Sequence, residues 1–203
     1  MIAVIDYGAG NLRSVANAIA HLGYEAKITT SPADIEAARA VILPGVGAAG
    51  ETMKHLRNLG LVKPICRYIG QDRPFFGICI GMQVLYDSTE EGGEQPCLGV
   101  IAGRVRRLPS GLKTPHMGWN QVRQAKPHPI FAGIPDNANF YFVHSYYGVP
   151  DDSSLITGET EYGAVIPCVV ARGNLVATQF HPEKSGETGL KMYDNFIKQA
   201  LAG

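Results

Sequence analysis

"FFGICIGMQ", residues 75–83, passes from an apolar run through two glycines into a helix-like pattern, with Cys79 between the glycines. A strand that turns sharply into a helix belongs to a parallel α/β sheet, and the flanking sequence carries the same alternation. "IAVID" (2–6) reads as a buried strand, and Leu12, Val15, Ile19 and Leu22 follow at helical spacing until Gly23 stops them. "AKITT" (26–30) is a second strand. Ser31 and Pro32 are a cap and first-turn pair for a short helix, and "AVILP" (40–44) is a third strand. A helical stretch after Gly45, Gly47 and Gly50 carries Met53, Leu56 and Leu59, and "FFGI" (75–78) is the fourth strand. Strands alternating with helices imply right-handed crossovers and a parallel sheet covered on both faces.

From Cys97 the character changes. "GRVRRL", "WNQVR", "NFYFVHSYY", "CVVARG" and "LVATQF" are short strand-like pieces divided by Gly, Pro, Asn and Asp, which predicts hairpins and antiparallel edge strands. Residues 190–201 form an amphipathic helix with Tyr193, Phe196, Ile197 and Ala200 on its apolar side. There is no internal repeat or linker. The expectation is an α/β fold with a mostly parallel central sheet, flanking helices and antiparallel edge strands, all within one domain, residues 1–203.

Composition narrows the function. With 203 residues, 45% of them hydrophobic, the chain can bury a core without disulfides or a metal. Lys plus Arg and Asp plus Glu both number 18, with no long like-charge run, which argues against nucleic acid or a membrane surface as partner. Cys66, Cys79, Cys97 and Cys168 are scattered without C-x-x-C spacing or paired histidines, so no metal or other cofactor is expected. The N-terminus enters a strand at once and no apolar stretch is long enough to span a bilayer. A reduced, soluble, cytoplasmic protein is expected, acting on a small neutral or anionic substrate or a protein partner. The initial methionine and the end just past the last helix favour a stand-alone chain over a piece of a fusion.

Gly77-Ile78-Cys79-Ile80-Gly81 has the form of a nucleophile elbow with cysteine in place of serine. A helix starting near Ile80 would set its positive end beside the sulfur and favour the thiolate, with the Ile80 N–H facing a developing oxyanion. A buried structural cysteine would look the same, so a base must be found. His21 and His55 read as surface residues, and His116 and His128 neighbour prolines in loops. His144 fits either a satisfied core position or a site wall. His181 stands out in "QFHPEKSG" (179–186): Pro182 fixes the backbone and Glu183 lies close enough to orient an imidazole. Cysteine, histidine and an acid together suit acyl transfer through a thioester. The loop "PGVGAAG" (44–50) lacks the Lys and Ser/Thr of a P-loop, and its N–H groups would serve a substrate carbonyl or an oxyanion. "DYGAGNLRS" (6–14) lacks the full glycine spacing of a dinucleotide loop.

"PGVG", "GICIGMQ" and "QFHPEKSG", in that order, resemble the triad-type class I glutamine amidotransferases, a flavodoxin-like family. Within it, "DYGAGNLRSV", "MGWN" (117–120) and "YFVHSYY" (141–147) are similar to the glutaminase subunits of imidazole glycerol phosphate synthases, across essentially the whole chain. The resemblance implies hydrolysis of L-glutamine to glutamate and ammonia, with the ammonia passed to a separate (β/α)8-barrel cyclase subunit in a heterodimer. It makes Cys79 the nucleophile, His181 base and acid, and Glu183 the orienting carboxylate. It gives Val46 and Ile80 as oxyanion N–H donors and puts Gly47, Gln83, Ser145 and Tyr146 in the glutamine pocket. It places Asn11, Trp119, Tyr141 and Lys184 toward the cyclase. Ile80 departs from the commoner leucine, but only its N–H is asked to act. Other readings are a glutaminase for anthranilate, guanylate or pyridoxal phosphate synthesis, a non-catalytic module on the same fold, or a nucleotide-binding protein with an inert Cys79.

Overall fold

The structure, a computed structural model, describes residues 1–8 and 10–202; Ala9, within the "DYGAGNLRS" stretch, and Gly203 lie outside the described residues. In chain order the first half contains β1 (Ile2–Ile5), α1 (Leu12–His21), β2 (Ala26–Thr29), α2 (Pro32–Ala37), β3 (Ala40–Leu43), α3 (Ala49–Asn58), α4 (Val62–Gly70), β4 (Phe75–Ile78), α5 (Ile80–Gln83), β5 (Tyr86–Thr89) and β6 (Gln95–Pro96). The second half contains β7 (Ile101–Arg107), β8 (His116–Gln124), β9 (Ala138–His144), β10 (Tyr146–Pro150), β11 (Ile156–Glu161), β12 (Val165–Arg172), β13 (Leu175–Thr178) and α6 (Gly186–Ala202), with three short 3-10 turns. No described helix is long and apolar enough to cross a membrane.

A nine-stranded sheet runs β2-β1-β3-β4-β13-β12-β11-β8-β9, and a second sheet runs β10-β7-β5-β6. The five strands from β2 to β13 are parallel to one another, and those from β13 to β9 pair antiparallel. Strands β1, β3, β4 and β13 are buried at every position, as unbroken apolar runs covered on both faces must be. Of the five parallel strands, β2 alone, at the edge, exposes residues along its length. Helix α6 lays Tyr193 and Phe196 against Phe76 of β4, with ring centroids 5.7 and 5.1 Å apart.

The expected fold is present: a mostly parallel central sheet with flanking helices, continued on one side by the antiparallel strands β12, β11, β8 and β9, with the four-stranded sheet separate. Several finer expectations need correction. "LVATQF" is the arm of a hairpin with β12, as expected, but it does not lie at the margin: the other side of β13 pairs in parallel with β4 and closes the parallel half. "NFYFVHSYY" is two strands in different sheets, β9 and β10, parted at Ser145. Helix α4 lies where no helix was expected; Pro64 sits in its first turn, where no intrahelical N–H is required, and Ile65, Tyr68 and Ile69 supply its buried stripe. Leu59 ends α3 as its cap and is exposed. Ser31 caps α2 by position alone: its hydroxyl accepts no cap bond, and its own N–H donates to Thr29 Oγ1. His116 is not in a loop but opens β8 and is buried. Helix α5 starts at Ile80, as expected, and has only four residues.

Candidate active site

Cys79 sits one residue beyond β4 at φ 54°, ψ −107°, a left-handed conformation that costs a non-glycine residue of order 1–3 kcal/mol. Packing holds it there. A Cβ on Gly81 would run into the Leu43 carbonyl oxygen, and one on Gly77 would lie 2.7 Å from the Gly81 oxygen. The strand end, the turn and the first residues of α5 therefore stack backbone against backbone, and the Cys79 N–H donates to Thr178 O at 2.7 Å. Ile80 opens α5, so its N–H is among the first-turn donors that a helix leaves without an internal acceptor.

The register of β13 on β4 brings the second group to the first. Thr178 faces Ile78, so the chain leaves both strands level, with Cys79 beside Gln179 and His181 two residues further on. The His181 Nδ1 lies 2.8 Å from Glu183 Oε1, both side chains 1% exposed. A carboxylate only accepts, so Nδ1 carries the proton and Nε2 is left free. That Nε2 is buried without a hydrogen-bond partner and lies within electrostatic reach of the Cys79 sulfur, though outside bonding geometry. Burial pulls the imidazole pKa down, but Cys79 and Glu183 outweigh it and raise the value to about 10. Glu183 is held in turn by Asn11 Nδ2 at 3.4 Å and by the Tyr193 hydroxyl at 3.5 Å. Ser185 fixes the turn by donating to His181 O at 2.6 Å and accepting from the Tyr141 N–H at 3.0 Å.

These groups open into one cleft of about 400 Å³, the size of a small-molecule site. Val46, Gly47, Cys79, Ile80, Gln83, Ser145, Tyr146, His181 and Lys184 line it, so residues from four separate stretches of chain converge. Glu183 stands behind His181, outside the lining. Val46 is 37% exposed and Gly47 has φ 95°, and both line the cleft. Trp119 is 58% exposed, edge-on to Tyr141 with centroids 6.1 Å apart, and Lys184 Nζ stands 6.0 Å from the Tyr141 ring.

Four lining residues had no place in the sequence-based site: Glu91, Pro115, Val143 and His144, the last left open as core or wall. Glu91 accepts the Ala49 N–H at 2.9 Å, which anchors its carboxylate at the cleft. In sequence it belongs to an acidic pair before two glycines, indistinguishable from a solvated turn. His144 is both wall and core. Its Nδ1 donates to Tyr146 O at 2.9 Å and its Nε2 lies 3.0 Å from His116 Nδ1. Burial takes His144 down to about 3 and His116 to about 4, so both rings are neutral at physiological pH.

The profile of "Glutamine amidotransferase class-I" matches residues 3–200. The chain belongs to the class I glutamine amidotransferases. Among curated members of the family it is 57% identical over 201 residues to imidazole glycerol phosphate synthase subunit HisH of Dehalococcoides mccartyi strain CBDB1, covering 99% of this chain and 98% of that one. It is 48% identical to the subunit of the same name from Chloroflexus aurantiacus, covering 100% and 97%. Solved structures share the fold at low identity. One titled as a glutamine amidotransferase superposes with TM-score 0.78 at 21% identity, covering 98% of this chain and 99% of that one. PurLQS from Thermotoga maritima gives 0.77 at 18%, covering 98% and 97%.

Proposed function

We propose that this amidotransferase is the glutaminase subunit of an imidazole glycerol phosphate synthase, acting in the cytoplasm as one unit without a cofactor. It hydrolyses L-glutamine to glutamate and ammonia and passes the ammonia to a (β/α)8-barrel cyclase subunit. The observation that carries the chemistry is the cleft shared by a strained Cys79 and the free Nε2 of His181, whose Nδ1 is committed to Glu183.

The raised His181 pKa favours a thiolate–imidazolium pair. The sulfur attacks the carboxamide carbon, and the tetrahedral oxyanion is met by the N–H groups of Ile80 and Val46. The protonated His181 then gives its proton to the departing nitrogen, the C–N bond breaks, and a thioester and ammonia remain. Water, losing a proton to His181, attacks the thioester and releases glutamate, with the returned proton completing the cycle. Gln83, Ser145, Tyr146 and Gly47 read the amino-acid end of glutamine. The Glu91 carboxylate complements its α-ammonium group.

Ammonia in water at neutral pH is mostly protonated and no longer nucleophilic, so it must reach its acceptor through a shielded path. The exposed Met117 and Trp119, on one face of β8 beside Tyr141 and Lys184, provide an apolar docking face with a cation at its margin. Asn11, assigned by resemblance to that face, holds Glu183 through its amide here, and so connects the partner side to the triad. The test is release of glutamate by the chain together with the barrel cyclase and its nucleotide. Cys79→Ser should abolish turnover, and His181→Asn should lower it roughly 10²–10⁴-fold. Turnover unchanged in Cys79→Ser, or no association with the cyclase, rejects the proposal.

A further inference from the structure

Gln179 links the nucleophile to the pocket residue Gln83 yet itself lines neither the cleft nor a surface. It is 0% exposed, its Nε2 is 3.7 Å from Cys79 Sγ, and Gln83 Nε2 donates to its Oε1 at 3.1 Å. One backbone carbonyl fixes the direction of every bond around it. Tyr146 O can only accept, so the Gln83 atom 2.9 Å away is the amide nitrogen. The Gln179 atom facing that nitrogen must then be its oxygen, which turns the Gln179 NH2 toward the sulfur. The same carbonyl takes the His144 Nδ1 proton, leaving Nε2 to accept from His116 Nδ1. The His116 Nε2 then accepts from Asn120 Nδ2 at 3.2 Å. Within this hydrogen-bonded network the Gln83 Oε1 is left buried and without a partner, on a side chain that lines the pocket.

We propose that Gln179 is a positioning residue that serves substrate reading and nucleophile activation at once, an assignment that rests on the glutaminase reading. Its oxygen locks the Gln83 amide with the carbonyl free to accept a donor of the bound glutamine. Its NH2 hydrogen-bonds the Cys79 sulfur and favours the thiolate over the thiol. An unsatisfied buried amide oxygen is costly unless a ligand completes it, so the orientation is selected by what binds.

The test uses the full chain and its complex with the barrel cyclase, comparing wild type, Gln179→Met and Gln179→Glu, with Cys79→Ala as the labelling blank. Alkylation of Cys79 by iodoacetamide is followed across pH by the mass of its peptide, and the KM for glutamine is measured in the complex. Gln179→Met removes both bonds. The alkylation midpoint should rise by about one pH unit, and KM should rise about tenfold. Gln179→Glu keeps the acceptor for Gln83 but sets a carboxylate beside the sulfur, so KM should change less than in Gln179→Met while the midpoint rises at least as far. A role confined to packing would leave the midpoint where it is. In wild type, the side-chain amide ¹⁵N resonance of Gln179 should titrate with the Cys79 alkylation midpoint, a readout that needs no variant to fold. Midpoints unmoved in the folded variants, or an amide resonance indifferent to the Cys79 titration, overturn the proposal. Absence of turnover by the wild-type complex would instead reject the glutaminase reading, because the alkylation and resonance measurements do not depend on it.

Discussion

The two backbone segments that flank the cleft are built in opposite ways. The Cys79 elbow is packed to contact on all sides: Gly77 and Gly81 have no room for a methyl group, and the obstacle at each is main chain. The "PGVG" loop is half open. A Cβ on Gly45 would strike Ile80, Gly81 and Tyr7, but one on Gly47 would meet nothing within 4 Å, and Val46 is exposed. The nucleophile is thus fixed by neighbours that cannot yield, while one of the two proposed oxyanion donors belongs to a segment free to turn about a glycine of positive φ. In the proposed complex this division would keep the reacting sulfur rigid while docking moves the group that completes transition-state binding.

Substitutions at the two glycines test this contrast most strongly. Gly81→Ala forces Leu43 and α5 apart and should cost about 3 kcal/mol or more, read as a lowered denaturation midpoint with loss of turnover. Gly47→Ala meets no steric obstacle and suffers only its positive φ, for about 1 kcal/mol. Its effect should fall on kcat in the complex rather than on folding. Equal destabilisation by the two would erase the distinction between fixed and adaptable arms.

A third test lies in the pH dependence of stability, where the histidines of the site act with opposite signs. His116 and His144 have folded pKa values below the unfolded value near 6.5. Their contribution is complete above that pH and is lost as pH falls toward 4 and 3, at up to about 1.4 kcal/mol per pH unit for each ring. His181, raised to about 10, contributes fully below about 6.5 and loses its contribution as pH rises through 10. Replacing His116 with Phe, between the stacked rings of Phe142 and Tyr162, should flatten the acid limb of a denaturation series and leave the alkaline limb as it is. A variant curve parallel to wild type from pH 4 to 6 would show that His116 takes no part in the acid limb.

Legibility in the sequence follows the range of the interactions. β1, β3 and β4 read as strands because each is a short apolar run that must be covered on both faces, and α1 and α6 because their apolar residues recur at helical spacing. Cys79 and the His181–Glu183 pair stand out because glycine, proline and an acid surround reactive side chains within a few residues. Helix α4 was hidden by Pro64, which marks a break unless it falls in a first turn. Glu91 and Gln179 carry no local signal: one sits in an acidic turn and the other is a polar residue at the end of an apolar strand. Their meaning comes from Ala49, Gln83 and Cys79, which lie 42, 96 and 100 residues away.

The sequence by itself determined the α/β alternation, the elbow that strains Cys79 and the pairing of His181 with Glu183, because each depends on residues in local contact. Only the tertiary structure decided that β13 adds to β4 in parallel with Thr178 opposite Ile78, which sets Cys79 and His181 on one cleft with Gln179 buried against the sulfur. An apolar strand can offer its backbone to any neighbour of like character. Which neighbour it takes is settled by the closure of every intervening loop and by the demand that each buried N–H and C=O find a partner.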